Sequence, residues 1–184
     1  MFIQTEATPN PATMKFLPGA AVLGNGTADY PDGNGKVDSP LARRLFAIDG
    51  VSAVFLGEDF ITVTKQSAEW HHLKPEILGA IMQHFTSGEP TLDGARATED
   101  VLAEVSEADR GTVEQIIELL DTRVRPAVAQ DGGDIVFRGF KEGIVFLQMR
   151  GSCSGCPSSV MTLKNGIENM LRHFVPEVQE VRQI

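Results

Sequence analysis

Gly151-Ser152-Cys153-Ser154-Gly155-Cys156-Pro157-Ser158-Ser159 holds both cysteines of this 184-residue chain and joins a strand pattern to a helix pattern. Pro157 suits the first turn of the helix that follows, where its missing N–H costs nothing. Cys156 then falls at or beside the N-cap and Cys153 one turn of loop earlier, both near the positive end of the helix dipole. That setting predicts thiolates, with pKa values about one unit or more below the usual ~8.5. Gly151 and Gly155 leave the backbone free to fold round the sulfurs. Soft thiolates select iron–sulfur units, zinc or Cu(I) over hard cations.

Several uses of such a pair compete. Two buried small hydrophobes is the blandest, and Ser, Gly and Pro neighbours speak against it. A dithiol/disulfide couple is the chemical rival, although the pair follows a hairpin pattern and not a βαβ unit. Zinc needs four ligands, and this spacing supplies half of them. His173 lies too many helical turns away to help, and His71, His72 and His84 read as solvated helix-surface residues elsewhere in the chain. An iron–sulfur cluster wants four thiolates. One chain offers two, and two chains about a symmetry axis offer four. A cluster held that way is exposed and labile, which suits a carrier.

Working outward, Val160, Leu163, Ile167, Met170, Leu171 and Phe174 recur at helical spacing after the cysteines, and Pro176 closes that helix before a strand over Val178–Val181. Upstream, Ile135–Phe140 and Ile144–Met149 alternate as a hairpin, with Ile135 and Phe137 on one face and Val136 and Arg138 on the other. Before them, Val113, Ile116, Ile117, Leu120, Val124 and Val128 mark a helix from Asp109, with a kink or break expected at Arg125-Pro126.

Residues 89–108 carry Glu89, Asp93, Glu99, Asp100, Glu104 and Glu107 against Arg96, and read as an acidic linker with at most a helical turn at Val101, Leu102 and Val105. The front of the chain offers strands at 2–6 and Thr13–Leu17, then a Gly-, Asn- and Asp-rich loop from Gly24 to Gly35. Ser39-Pro40 caps a short helix over Leu41, Leu45, Phe46 and Ile48. A hairpin (Val51–Leu56, Phe60–Thr64) follows, then a helix from Trp70 in which Leu73, Ile77, Leu78, Ile81, Met82 and Phe85 recur at helical spacing up to Ser87-Gly88. The fold class is therefore α+β: two small mixed domains, 1–88 and 109–184, joined by the linker 89–108.

The net charge of -9 leaves no cation excess to displace phosphate counterions, so a nucleic-acid partner is not expected. No apolar run reaches the roughly 20 residues of a membrane span. Met1–Glu6 lacks the pattern of a secretory signal, and the two close cysteines fit a reducing cytoplasm.

Arg125-Pro126-Ala127-Val128-Ala129-Gln130-Asp131-Gly132-Gly133-Asp134-Ile135, the cysteine stretch, and Thr162-Leu163-Lys164-Asn165-Gly166-Ile167-Glu168 closely resemble the NifU C-terminal, or Nfu, domain. Phe2–Pro11 and Met14–Gly19 resemble the Nfu N-terminal domain. The resemblance implies an iron–sulfur cluster scaffold or carrier, not an enzyme. Its labile cluster, 4Fe–4S with 2Fe–2S as the alternative, would be shared between two protomers through Cys153 and Cys156 of each. It also implies an upstream cluster donor and apo iron–sulfur clients such as lipoyl synthase or aconitase-like enzymes. The compartment it implies is a bacterial cytoplasm, or the mitochondrial matrix for a processed eukaryotic chain. Within the matched stretch, Asp131 and Asp134 either face the cluster or a client, or belong to a helix-to-strand turn in which Asp134 caps backbone donors.

Overall fold

The computed structural model describes residues 1–94, 105–154 and 157–184, the side chains of 157–159 excepted. The chain divides into two compact units, Met1–Arg96 and Ala97–Ile184.

In the first unit, β1 (Gln4–Ala7), β2 (Thr13–Leu17), β3 (Ala28–Tyr30), β4 (Val51–Leu56) and β5 (Ile61–Lys65) form an antiparallel sheet of order β1-β2-β5-β4-β3. Helices α1 (Pro40–Phe46) and α2 (Trp70–Ser87) contribute Leu41, Leu45, Ile77 and Ile81 to a core shared with Phe16, Leu56 and Ile61. The local signals act as expected. Ser39 Oγ accepts the Ala42 N–H at 3.1 Å ahead of Pro40, and Gly88 stops α2 with φ 70°. Strand β3 lies inside the stretch expected to be loop. Only Ala28 and Tyr30 turn inward there, too few residues to show a period against flanking Gly and Asp, and pairing to β4 supplies the rest.

The front of the expected linker is fastened to this unit. Arg43 and Arg44 pair with Asp93 and Glu89 at 2.6 and 2.8 Å, and Leu92 packs against the core. Residues 95–104 of that linker lie outside the described residues.

The second unit comprises α3 (Arg110–Leu119), a π-helical turn (Leu120–Val124), α4 (Arg125–Gln130), β6 (Gly133–Lys141), β7 (Ile144–Gly151), α5 (Pro157–Phe174) and β8 (Glu180–Gln183). The break expected at Pro126 is a widening: the helix opens into the π turn just before the residue that has no N–H to give. The sheet order is β6-β7-β8, antiparallel then parallel. A parallel neighbour requires a crossover, and α5 is that crossover. Val145, Leu147, Ile135, Ile116, Leu120, Ile167 and Leu171 make one buried core.

Phe174, expected in that core, is 47% exposed, with the Arg123 guanidinium 4.8 Å from its ring centroid. It is the last helical residue, and the buried Val175 just beyond takes the inward place. Strand β6 carries a bulge between Phe137 and Gly139. No helix among the described residues is long and apolar enough to cross a membrane.

Candidate metal centre

Strand β7 runs out at Gly151, which takes φ 66° and pairs across the ladder with Gly133, the first residue of β6. Two glycines thus face each other where the hairpin opens toward the cysteines. Gly132, one residue earlier, has φ 79°, a conformation that side chains disfavour. Its carbonyl accepts the Ser152 N–H at 3.2 Å, and Ser152 Oγ donates to the Asp131 carbonyl. Ser154 folds back, its N–H and hydroxyl both donating to the Gly151 carbonyl at 3.1 and 2.8 Å. The cysteine turn is therefore tied by backbone to the Asp131–Asp134 turn.

Cys153 sits in the cradle so formed. A Cβ placed on Gly133 would fall 2.6 Å from Cys153 Sγ and 2.9 Å from the Arg150 carbonyl. Real contacts are not that short, so the sulfur occupies the volume that any larger residue at 133 would need. Cys153 is only 8% exposed. Burial pushes its thiol up to about 11, against the lowering effect of the Ser152 hydrogen bond and with the Asp131 and Asp134 carboxylates adding to the rise. The expectation of a lowered pKa thus fails for Cys153. Loss of hydration outweighs the favourable groups, because the sulfur packs on Gly133 beneath the hairpin end.

Asp134 does more than end a turn. Its carboxylate is buried, accepts the Ile135 N–H at 2.8 Å, and receives Arg125 Nε and Nη2 at 2.8 and 3.0 Å. Arg125 reaches Asp121 as well, at 3.1 Å. The Asp134 hydrogen bond, ahead of opposing burial, raises the Arg125 pKa further above its already high value. This two-pronged pair joins α4 to the strand that starts under Cys153. The spacing of nine residues hid it from sequence reading.

Cys156 and Gly155 lie outside the described residues, so the second expected ligand has no described geometry. Among the described residues, no three His, Cys, Asp or Glu gather as a metal site. His173 is exposed and stands edge-on to Phe174. His84, expected at the surface, is instead 1% exposed on the inner stripe of α2, its Nδ1 without a hydrogen-bond partner. Three residues after Ile81 on the apolar stripe of α2, it was readable as buried.

What this geometry can do is limited and specific. It fixes one soft sulfur at the mouth of a hairpin, immediately before a helix, with the chemistry of a donor to soft metals.

Comparison with known proteins places both halves. Residues 3–88 match the family model "Scaffold protein Nfu/NifU N terminal" and residues 116–182 match "NifU-like domain". The chain is 55% identical over 186 aligned residues to proteins of Drosophila sechellia and Drosophila virilis, each named "NFU1 iron-sulfur cluster scaffold homolog, mitochondrial". The match takes in all of this chain and 65% and 62% of those proteins, so the chain spans somewhat under two thirds of their length. Among solved structures, a NifU-like protein from Saccharomyces cerevisiae is 26% identical over 51% of this chain and 86% of that one, with TM-score 0.39. Protein SAV1430 from Staphylococcus aureus is also 26% identical, over 44% of this chain and 99% of that one, with TM-score 0.39.

Proposed function

The chain belongs to the Nfu/NifU iron–sulfur cluster scaffold family, and on that footing we propose that it carries a cluster on Cys153 and Cys156 and passes it to apo-proteins. The observation that supports this most directly is the cradle of Cys153. A sulfur seated on Gly133 and tied through Ser152 and Gly132 to a neighbouring turn is a donor held in advance of its cargo. Metal binding takes the proton from such a thiol and couples loading to pH.

A 4Fe–4S cargo needs four thiolates, so two copies of the chain share one cluster, each giving two. A 2Fe–2S cargo needs the same number. Transfer is exchange: a client thiolate replaces each carrier thiolate, and no bond to carbon is made or broken. The chain has no turnover chemistry of its own in this reading. An upstream donor fills the site. Clients with vacant cysteine sets, lipoyl synthase and aconitase-like enzymes among them, empty it. The compartment is a reducing one, mitochondrial matrix or bacterial cytoplasm. The first unit steers clients.

Anaerobic reconstitution with iron and sulfide, followed by metal counting and mass measurement, tests the reading. About two irons per chain in a dimer is the expected result for 4Fe–4S. Cys153→Ala and Cys156→Ala should each abolish loading. Retention by both variants sinks the ligand assignment, and robust insulin reduction by the apo protein shifts the function to thiol–disulfide exchange.

A further inference from the structure

Strand β8 is an edge of the second unit's sheet: among the described residues, β7 is its one neighbour. The Glu180 and Ile184 N–H groups donate to the Gly143 and Leu147 carbonyls at 3.2 and 2.9 Å, so these residues face β7. Backbone groups alternate sides along a strand, and Val181 and Gln183 therefore turn their N–H and carbonyl groups to the outer edge. The pairing of β8 with β7 runs in unbroken register over Glu180–Gln183. The opposite edge, β6, is broken by the bulge between Phe137 and Gly139. Of the two, β8 is the regular edge, and a regular edge is a template for another strand.

Two features set this edge apart. The first is its sequence. Gln179-Glu180-Val181-Arg182-Gln183 is complementary to itself when read antiparallel about Val181. A second copy paired that way sets its Val181 against Val181, its Arg182 against Glu180 and its Gln183 against Gln179. Opposite charges directly across a strand pair stabilise it. Glu180 and Arg182 now pair with each other at 2.9 Å, with side chains 42% and 53% exposed, so both can be reached from outside. The second feature is a carboxylate. Glu168 on α5 accepts the outward Val181 N–H at 3.1 Å. It also lies 3.8 Å from Arg172, one helical turn on, which gives it another partner when it leaves the strand.

We propose that β8 is a self-pairing edge guarded by Glu168, and that its partner is a second copy of this chain. While the carboxylate holds Val181, the strand has no donor to offer at its centre. When the carboxylate turns to Arg172, two copies exchange Val181 N–H and carbonyl groups across a two-fold axis. The contact involves one short strand from each copy, so the dimer is weak. It is also distinct from a cluster-sharing contact. Val145 lies level with Val181, and β7 runs on from there to Gly151, about 20 Å at about 3.3 Å per residue. Antiparallel copies therefore carry their cysteine turns to opposite ends of the joined sheet, about 40 Å apart along the strands. The proposal does not rest on the carrier reading above.

The test uses the 184-residue apo chain with a thiol reductant and a chelator, so that neither a disulfide nor a cluster bridges two copies. Sedimentation velocity up to about 1 mM should show a weak monomer–dimer equilibrium, with Gln183 amide exchange slowing as the dimer fills. Glu168→Ala removes a bond that each copy must otherwise give up, and should tighten the dimer at least about tenfold. Glu180→Arg and Arg182→Glu should each abolish self-pairing, because like charges then face each other. Mixing those two variants should restore a dimer, since each carries the charges the other lacks. Association that ignores these charges, no restoration on mixing, or a Glu168→Ala chain that pairs no more tightly than wild type overturns the proposal. Where circular dichroism shows Glu168→Ala unfolded, the charge variants with Glu168 in place decide. Failure of iron loading in the wild-type chain would count against the carrier reading and leave the pairing result standing.

Discussion

Replacing Gly133 by Ala is the smallest change that probes the cysteine cradle. The added methyl carbon would lie 2.6 Å from Cys153 Sγ, 2.9 Å from the Arg150 carbonyl oxygen and 3.2 Å from the Cys153 nitrogen. Two of those neighbours are backbone and cannot swing aside. Overpacking of this kind costs about 1–3 kcal/mol. Because 133 does not take positive φ, Ala regains about 0.4–1 kcal/mol by restricting the unfolded chain. The net loss is about 1–2 kcal/mol, or a fall of roughly 5–15 °C in the melting of a unit this size.

The fold survives such a loss, but the sulfur is displaced by several tenths of an ångström or more, and loaded iron per chain should fall with it. Gly139→Ala is the matched control. It lies on the same strand, and its Cβ would meet nothing nearer than Phe146 at 3.8 Å. It should leave melting and loading unchanged, or raise stability slightly. The assay pairs thermal melts of the apo protein with iron counting after anaerobic reconstitution. A Gly133→Ala protein that melts and loads like the Gly139→Ala control would falsify the cradle. Adding Cys153→Ala should recover part of the melting loss, since one of the three contacts is then gone.

Removing the guanidinium with Arg125→Met leaves Asp134 buried and charged without its main partner. Stability of the apo protein should fall by about 2–3 kcal/mol, somewhat below a fully buried pair because Arg125 is partly exposed, as read from urea melts. Burial lowers the His84 pKa, so the unfolded chain binds the proton more readily than the folded one. Stability of the first unit is then full at neutral pH and declines as pH falls below about 6.5. His84→Leu should flatten that decline in melts at graded pH, and an unchanged slope rejects the assignment. On α5, Leu171→Ala should cost about 2–5 kcal/mol and Phe174→Ala under about 1 kcal/mol. Equal losses would contradict the exposed placement of Phe174.

The sequence carried the elements whose signals are local. Ser39-Pro40 announces α1, and the apolar spacing from Trp70 to Phe85 announces α2. Strand β3 escaped because three residues with two inward side chains make no period. Proline at 126 announced a disturbance, but an α-helix can kink, stop or widen there, and only packing chooses the π turn. His84 was legible and misread, being on the stripe of Ile77 and Ile81. The site divides along the same line. The spacing of the cysteines and their place before a Pro-started helix were local facts. That Cys153 rests on Gly133, twenty residues back, depends on how the hairpin ends meet. The helix dipole acts from neighbours along the chain, whereas the burial that raises the Cys153 thiol comes from Gly133 across the hairpin end. Arg125 and Asp134 lie on separate elements, and no pattern joins them.

The π turn at Leu120–Val124 makes chain length itself a part of how the helix faces are set. A π turn holds one residue more than the α-helical path it replaces and takes it up by widening, so the helices on either side keep their faces. Deleting a single residue there, Thr122 for instance, would close the turn to an unbroken α-helix with the apolar stripe of α3 and the Arg125–Asp134 pair both kept. Deleting one residue inside α3 has no such slack: the about 100° that each helical residue carries would turn the start of that stripe away from the core.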